Sequence, residues 1–163
     1  MDTTIRYARA GDIPAITWVL HSAFAPYRGL LGYRPSPMDR DYSGMIKENY
    51  VFVAEVRGCV VGVAISVPRE RHLYLDAIAV APSAQGRGLG RALLRSVEKL
   101  ASELCYEHVR LHTVPVLNGP MRFYPSSGYV QSARSGDGPR GRVMFQKRIV
   151  STLDIVLARM GVD

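Results

Sequence analysis

The sequence predicts a mixed α/β domain in which strands outnumber the helical crossovers between them. Three observations carry this. Runs of β-branched residues such as "YVFVAEV" and "CVVGVAISV" recur between segments of helical periodicity; their near-continuous apolarity calls for a sheet covered on both faces; and one segment, residues 89–104, is a strongly amphipathic helix. A chain of 163 residues suits one domain, placed here over residues 1–150, with residues 151–163 as a C-terminal helical extension of it.

The elements follow in order. "TTIRYAR" alternates as a first strand, and Asp12 then stands as N-cap to a helix whose Ile13, Ile16, Val19, Leu20 and Phe24 recur at helical spacing. Pro26 to Pro37 reads as a loop from its Gly and Pro content, although it carries two tyrosines and two leucines. Ser36 and Pro37 open a second helix that runs to about Asn49. Two strands follow, joined at Arg57-Gly58, a two-residue hairpin signal. Leu73 to Pro82 is a fourth strand, and the next helix places Leu89, Leu93, Val97, Leu100 and Leu104 on one stripe with Arg91, Arg95, Glu98, Lys99 and Ser102 opposite. "HVRLHTV" is a fifth strand; "NGPMRFYPSSGY" a short helix or turn closing at Gly128; "GYVQSAR" and "RVMFQKRIV" the last two strands, separated by the turn "SGDGPRG". Ser151 and Asp154 form a capping box for a terminal helix whose Leu153, Val156, Leu157 and Met160 share a face, expected to cover this sheet or, alternatively, to pair two copies in a homodimer.

Composition narrows the function classes. The chain is 47% apolar and 21% charged, as in ordinary globular proteins, and no apolar run approaches the roughly 20 residues of a membrane span. Its start lacks the pattern of a signal peptide, so a cytoplasmic address is expected. Cys59 and Cys105 fall in no CxxC or His/Cys grouping, which argues for buried thiols and no metal. A net charge of +7 raises nucleic acid as a partner, yet the arginines are scattered and no basic run of five occurs, and a basic surface that attracts anionic small molecules explains the balance equally well.

The chemistry concentrates where Gly86, Gly88 and Gly90 interleave with Arg87 and Arg91 directly before the amphipathic helix. A helix N-terminus presents unpaired amides and partial positive charge, and glycines let a pyrophosphate approach those amides closely. The Walker pattern fails, because Arg91-Ala92 stands where Lys-Ser or Lys-Thr is required. The dinucleotide fingerprint fails too, its last glycine falling one residue early at Gly90.

"IAVAPSAQGRGLGRALL" resembles the acetyl-CoA motif of the GNAT superfamily of N-acetyltransferases, Q/R-x-x-G-x-G/A, with Gln85, Gly88 and Gly90 at its fixed positions. "TIRYARAGDIPAITWVLHSAF" is similar to the family's opening strand and helix, "VFVAEVRGCVVGVAI" to its central hairpin and "FYPSSGYV" to its Tyr-x-x-x-Gly-aromatic ending, so the resemblance spans about residues 3–148. It implies a central, mostly antiparallel sheet flanked by helices on both faces and splayed between the fourth and fifth strands. It also implies transfer of the acetyl group of acetyl-CoA to a primary amine, small-molecule or peptide, by direct attack through a tetrahedral intermediate.

Carried over residue by residue, the resemblance gives Ile78, Ala79 and Val80 the pantetheine arm and carbonyl, and Gln85, Gly86, Arg87, Gly88, Leu89, Gly90 and Arg91 the pyrophosphate. Tyr124, four residues before Gly128, becomes general acid to the departing thiolate. The place of the family's cofactor-binding Asn falls on Leu117, with Asn118 one step later: either Asn118 reaches the same ligand through a changed turn, or the contact is missing and the cofactor arm is held less well. For the base, Asp76 is expected to share the facing of Ile78, where it takes the ammonium proton or else pairs with an arginine such as Arg71; Glu55, His72 and His112 are weaker alternatives. Pro26–Pro37 and Ser135–Gly141 are candidate acceptor walls, with Trp18, Tyr27 and Tyr33 able to flank an amine. Two other classes stand beside this reading: a non-catalytic acyl-CoA-binding module, and a basic nucleic-acid-binding protein.

Overall fold

Strand-forming runs of alternating or continuous apolar residues can satisfy their backbone only by pairing, and here they do so in one sheet. The computed structural model describes residues 2–162. Its strands are β1 (Thr3–Tyr7), β2 (Val51–Val56), β3 (Cys59–Pro68), β4 (His72–Val80), β5 (His108–Thr113), β6 (Val130–Ser135) and β7 (Arg142–Arg148). They lie in the order β1-β2-β3-β4-β5-β7-β6, and every neighbouring pair is antiparallel except β4 with β5. The β2–β3 hairpin turns on Arg57 and Gly58, both at positive φ (50° and 79°), the two-residue geometry whose twist matches the strands.

Helices cover both faces. On one, Leu89, Leu93 and Val97 of α4 (Leu89–Glu103) pack over Leu73, Leu75, Val109 and Leu111 of the sheet. Tyr124 of α5 (Asn118–Ser126) joins the same core. On the other face, Ile16, Val19 and Leu20 of α1 (Ile13–Phe24) and Ile46 of α3 (Ser43–Lys47) pack on Val63, Ile65, Ala77 and Ala79. Gly62 lets α4 come close to β3: a Cβ there would sit 3.0 Å from Leu93 Cδ1 and 3.1 Å from Ala54 Cβ.

Two features of β4 shape everything near it. Ile65 pairs with Ala77 and Ser66 with Leu75, so Asp76 is an extra, bulged residue. The bulge reverses the alternation: Leu73 and Leu75 face α4, whereas beyond it Ala77 and Ala79 face α1 and Ile78 and Val80 turn toward α4. Asp76 therefore looks away from Ile78, contrary to the facing expected from strict alternation. The second feature is that β4 pairs with β5 only from His72 to Tyr74, opposite His108 to Arg110, after which the strands part.

Several local expectations are corrected. The Pro26–Pro37 segment is not all loop: Tyr27–Leu31 form a short helix, α2, because Tyr27 and Leu31 pack against Val114 and Leu117. The second helix does not run from Ser36 to Asn49. It is a 3-10 turn at Ser36–Met38 and then α3, separated where Asp39 binds Arg34 and the Asp41 carboxylate accepts the Ser43 amide. Leu104 is exposed, and Leu94 and Ala101 fill the α4 core face instead. Glu98 is not on a solvent face either, since it holds Lys147 at 3.1 Å and accepts from the Tyr129 hydroxyl.

Both cysteines are exposed rather than buried: Cys59 opens β3 at the hairpin, and Cys105 ends α4 in the left-handed conformation, so each lies at an element boundary. Helix α6 (Thr152–Met160) has the expected capping box, with Ser151 Oγ accepting from the Asp154 amide at 3.0 Å. Its apolar face does not cover this sheet, however. Leu153, Val156, Leu157 and Met160 are all exposed, and the helix is tethered by its approach segment, where the Ser102 hydroxyl donates to the Val150 carbonyl at 2.8 Å. Among the described residues no helix is long and apolar enough to cross a membrane.

Leu93 is fully buried where α4 meets β3. Leu93→Ala should lower stability by about 3 kcal/mol through lost burial and a residual cavity. Urea unfolding checks this: the midpoint falls with an unchanged slope.

Candidate active site

The glycine segment follows β4 through a 3-10 turn at Pro82–Ala84 and leads into α4. Gly86 and Gly88 both have left-handed backbone, φ 75° and 79°, which any side chain would strain. No atom lies within 4 Å of where a Cβ would stand on either residue. Gly88 is the N-cap of α4, and the first amide to close the helical ladder is that of Ala92, onto the Gly88 carbonyl at 3.1 Å. The amides of Leu89, Gly90 and Arg91 accordingly point out of the helix end. Leu89 contributes its amide only, because its side chain is buried in the core beneath. Gly90 faces Phe123 of α5, where a Cβ would make an ordinary contact at 3.6 Å.

The side chains of this segment are partly spent on the protein itself. Gln85 Nε2 donates to the Val80 carbonyl at 2.9 Å, bracing the turn against the end of β4. Arg91 donates to the carbonyl and hydroxyl oxygens of Ser126, at 3.3 and 3.0 Å, tying α4 to α5. The turn thus offers an anion mainly backbone donors held by side chains behind them.

Where β4 and β5 part, a cavity of about 420 Å³ opens. Leu75 to Ile78 of β4 and His112 and Thr113 of β5 line it, and it is walled from both sides of the sheet: Phe123 and Tyr124 of α5 on the α4 side, Tyr27 and Arg40 on the α1 side. Gln85 also reaches it, which joins the cavity to the glycine turn. Ile78 lines the space, while Ala79 and Val80 lie further along the same unpaired stretch of β4 toward Gln85.

Tyr124 is almost fully buried, its ring edge-on to Phe123 and Tyr129. Burial pushes its phenol well above the ordinary tyrosine range, with the nearby Tyr27 and Tyr74 phenols adding to the effect. It stays protonated at neutral pH and so has a proton to donate. Asp76 is engaged on both oxygens: Oδ1 accepts from Arg40 Nη1 at 2.5 Å and Oδ2 from the Tyr42 hydroxyl at 3.2 Å. Its partner is thus Arg40 rather than Arg71.

His112 lines the same cavity and shares a close hydrogen bond with the Tyr74 hydroxyl through Nδ1. Desolvation, helped by the charge of Arg142, holds its pKa below the usual imidazole value, so it is neutral at pH 7. The other two base candidates are elsewhere. Glu55 binds Arg6 at 2.8 Å on the β1 side of the sheet, and His72 sits at the paired start of β4.

Asn118 is exposed at the first position of α5, and it is Leu117 before it, buried, that lines the cavity. Trp18 is exposed on α1 and does not reach the cavity, whereas Tyr27 and Tyr33 do. The β6–β7 turn approaches as expected: the Tyr33 hydroxyl donates to the Pro139 carbonyl at 2.9 Å, and Arg140 lies over the Tyr33 ring. Sequence reasoning missed Arg40, Tyr42, Tyr74 and Arg142. Tyr74 had a signal, being two residues before Asp76 on one strand; Arg40 and Arg142 had none, because only the tertiary fold brings them here.

The sequence matches the model of the acetyltransferase (GNAT) family over residues 13–129. No curated protein matches it. Among solved structures it is similar to the ribosomal-protein-S18-alanine N-acetyltransferase from Escherichia coli, at 22% identity and TM-score 0.74 over 91% of this chain and 94% of that one. It is similar also to the PaiA N-acetyltransferase from Thermoplasma acidophilum in complex with coenzyme A, at 16% identity and TM-score 0.73 over 91% and 99%. A third is yncA from Salmonella typhimurium with its cofactor acetyl-CoA, at 23% identity and TM-score 0.65 over 91% and 95%. These likenesses show the fold, with its splayed sheet between two helical layers, and the family match takes in both the glycine segment and Tyr124. The chain belongs to the acetyltransferase (GNAT) family.

Proposed function

We propose that the protein transfers an acetyl group from acetyl-CoA directly to a primary amine. One observation carries the reading: the parted strands open a cavity from both faces of the sheet, and it is bordered by Gln85, the residue directly before a glycine turn fit for a pyrophosphate. Acetyl-CoA supplies an acetyl thioester. The open space over Gly86 and Gly88, the outward amides of Leu89, Gly90 and Arg91, and the unpaired edge of β4 from Ile78 to Val80 suit its diphosphate and extended arm. That two of the similar structures carry coenzyme A or acetyl-CoA supports the choice.

The residues divide the work by face. Tyr124, on the α4 side and held protonated by burial, donates to the sulfur as negative charge develops there. On the α1 side the amine must lose a proton. Asp76, with both oxygens engaged, serves to hold Arg40 and Tyr42 in place. His112 is the better base: when Nδ1 carries its proton toward the Tyr74 oxygen, Nε2 is left to accept one.

Three outcomes test this. Acetyl-CoA and CoA, but not NAD, should raise the melting temperature, by an amount equivalent to about 2.7 kcal/mol at a hundredfold excess over Kd. Gly88→Val, which places a β-branched residue at a left-handed position, should remove that shift; an equal shift in the variant would exclude the glycine turn as the binding site. Tyr124→Phe should lower kcat about a hundredfold, read by free-thiol release, while the acetyl-CoA shift persists. The rate should rise with pH through a group that titrates below the ordinary imidazole range, because the folded site favours neutral His112. His112→Gln should abolish that acid limb; if Asp76→Asn does so instead, the base is the carboxylate.

A further inference from the structure

The α1-side chamber, which would receive the amine, has an unbalanced charge. Its lining includes Arg40, Asp76 and Arg142, and with His112 neutral the only carboxylate among them is committed to Arg40. Arg142 has no carboxylate partner among the described residues. Its Nη1 donates to the carbonyls of Arg140 and Gly141, at 3.3 and 2.9 Å, which fixes the side chain without neutralising it.

Its place relative to the proposed base follows from register. His112 is opposite Met144 and Thr113 opposite Val143, so Arg142, two residues before Met144, is the diagonal neighbour of His112 on one face of the sheet. A simple cationic amine entering this chamber would meet surplus positive charge. An amine that carries a carboxylate would instead bring its own counter-charge, with Arg142 as a forked donor for it.

Size points the same way. The cavity of about 420 Å³ must also take the acetyl end of the donor, leaving room for a small molecule. The two walls of the chamber are joined by the Tyr33 hydroxyl on the Pro139 carbonyl and by Arg140 over the Tyr33 ring. A polypeptide would have to part that join, whereas a small molecule would not.

Resting on the acetyl-transfer reading, we infer that the acceptor is a small primary amine bearing a carboxylate, of the free amino acid class, with its carboxylate on Arg142 and its amine at His112. The test uses the full chain and acetyl-CoA, with thiol release as readout. Each of a panel of free amino acids is compared with its own amide, which keeps the amine and loses the anion, and with a short peptide starting with Asp or Glu.

For the best amino acid, kcat/KM should exceed that of its amide by about tenfold or more, the scale of a charge-assisted pair. The difference should lie mainly in KM. Arg142→Gln and Arg142→Lys should each bring the ratio down, Gln toward unity, with circular dichroism confirming that the variants fold. Equal use of acid and amide by the unmodified protein overturns the inference and leaves acetyl transfer standing, as does a clear preference for the acidic peptide over every free amino acid. Absence of both an acetyl-CoA melting shift and thiol release with any amine overturns the parent reading and this one with it.

Discussion

The parting of β4 from β5 is the constraint on which the rest depends. Parallel neighbours normally share their hydrogen bonds along their whole overlap, yet here they do so for three residues, His72 to Tyr74 on one strand and His108 to Arg110 on the other. Beyond that, backbone groups on the facing edges are left for something other than the sheet. The cost is tolerable because each strand has a second neighbour: β4 is fully paired with β3, and β5 with β7. A seven-stranded sheet can thus be opened in its middle without losing either half. Helix α4 bridges the opening, contacting β3 and β4 of one half and β5 of the other, while α1 covers β3 and β4 from the opposite face.

The opening also explains why the bulge at Asp76 matters. Leu75 faces the α4 layer and Asp76 after it faces the α1 layer, where Arg40 and Tyr42 bond to both oxygens of its carboxylate. The bulge then places Ala77 and Ala79 on that same side and turns Ile78 and Val80 to the other. A carboxylate with its side chain 9% exposed requires such partners, since an unpaired buried charge costs several kcal/mol.

What was legible in the sequence was local. The glycine segment announces itself because three glycines before an amphipathic helix have few other physical reasons to be there, and Gly86 and Gly88 do adopt the left-handed backbone such a turn needs. The hairpin at Arg57-Gly58, the capping box of α6 and the succession of strands along the chain were readable for the same reason. What failed was tertiary. The facing of Asp76 depends on the register of β3, not on β4 alone. Helix α2 depends on Val114 and Leu117, some ninety residues downstream, to cover Tyr27 and Leu31. Helix α3 is short because Asp39 and Asp41 bond to Arg34 and Ser43 rather than letting the chain continue as helix. Cys59 lies in an apolar run and Cys105 near a helix end, and both are exposed because they stand at element boundaries, where sequence neighbours say little about burial.

Charge distribution links these levels. The chain carries a formal +7, and composition alone suggests attraction for anions without saying where. In the structure many arginines are neutralised locally: Arg6 by Asp12 and Glu55, Arg34 by Asp39, Arg134 by Asp137. The functional meaning of the excess is therefore decided by those left over at a concave surface, not by the total. Arg142 is such a residue, fixed by carbonyls at the start of β7 and facing a chamber whose carboxylate already has its arginine. A net charge that says little as a number becomes, once paired charges are set aside, a statement about place: a cation without a carboxylate partner among the described residues stands on the strand beside His112, at the wall of the parted strands.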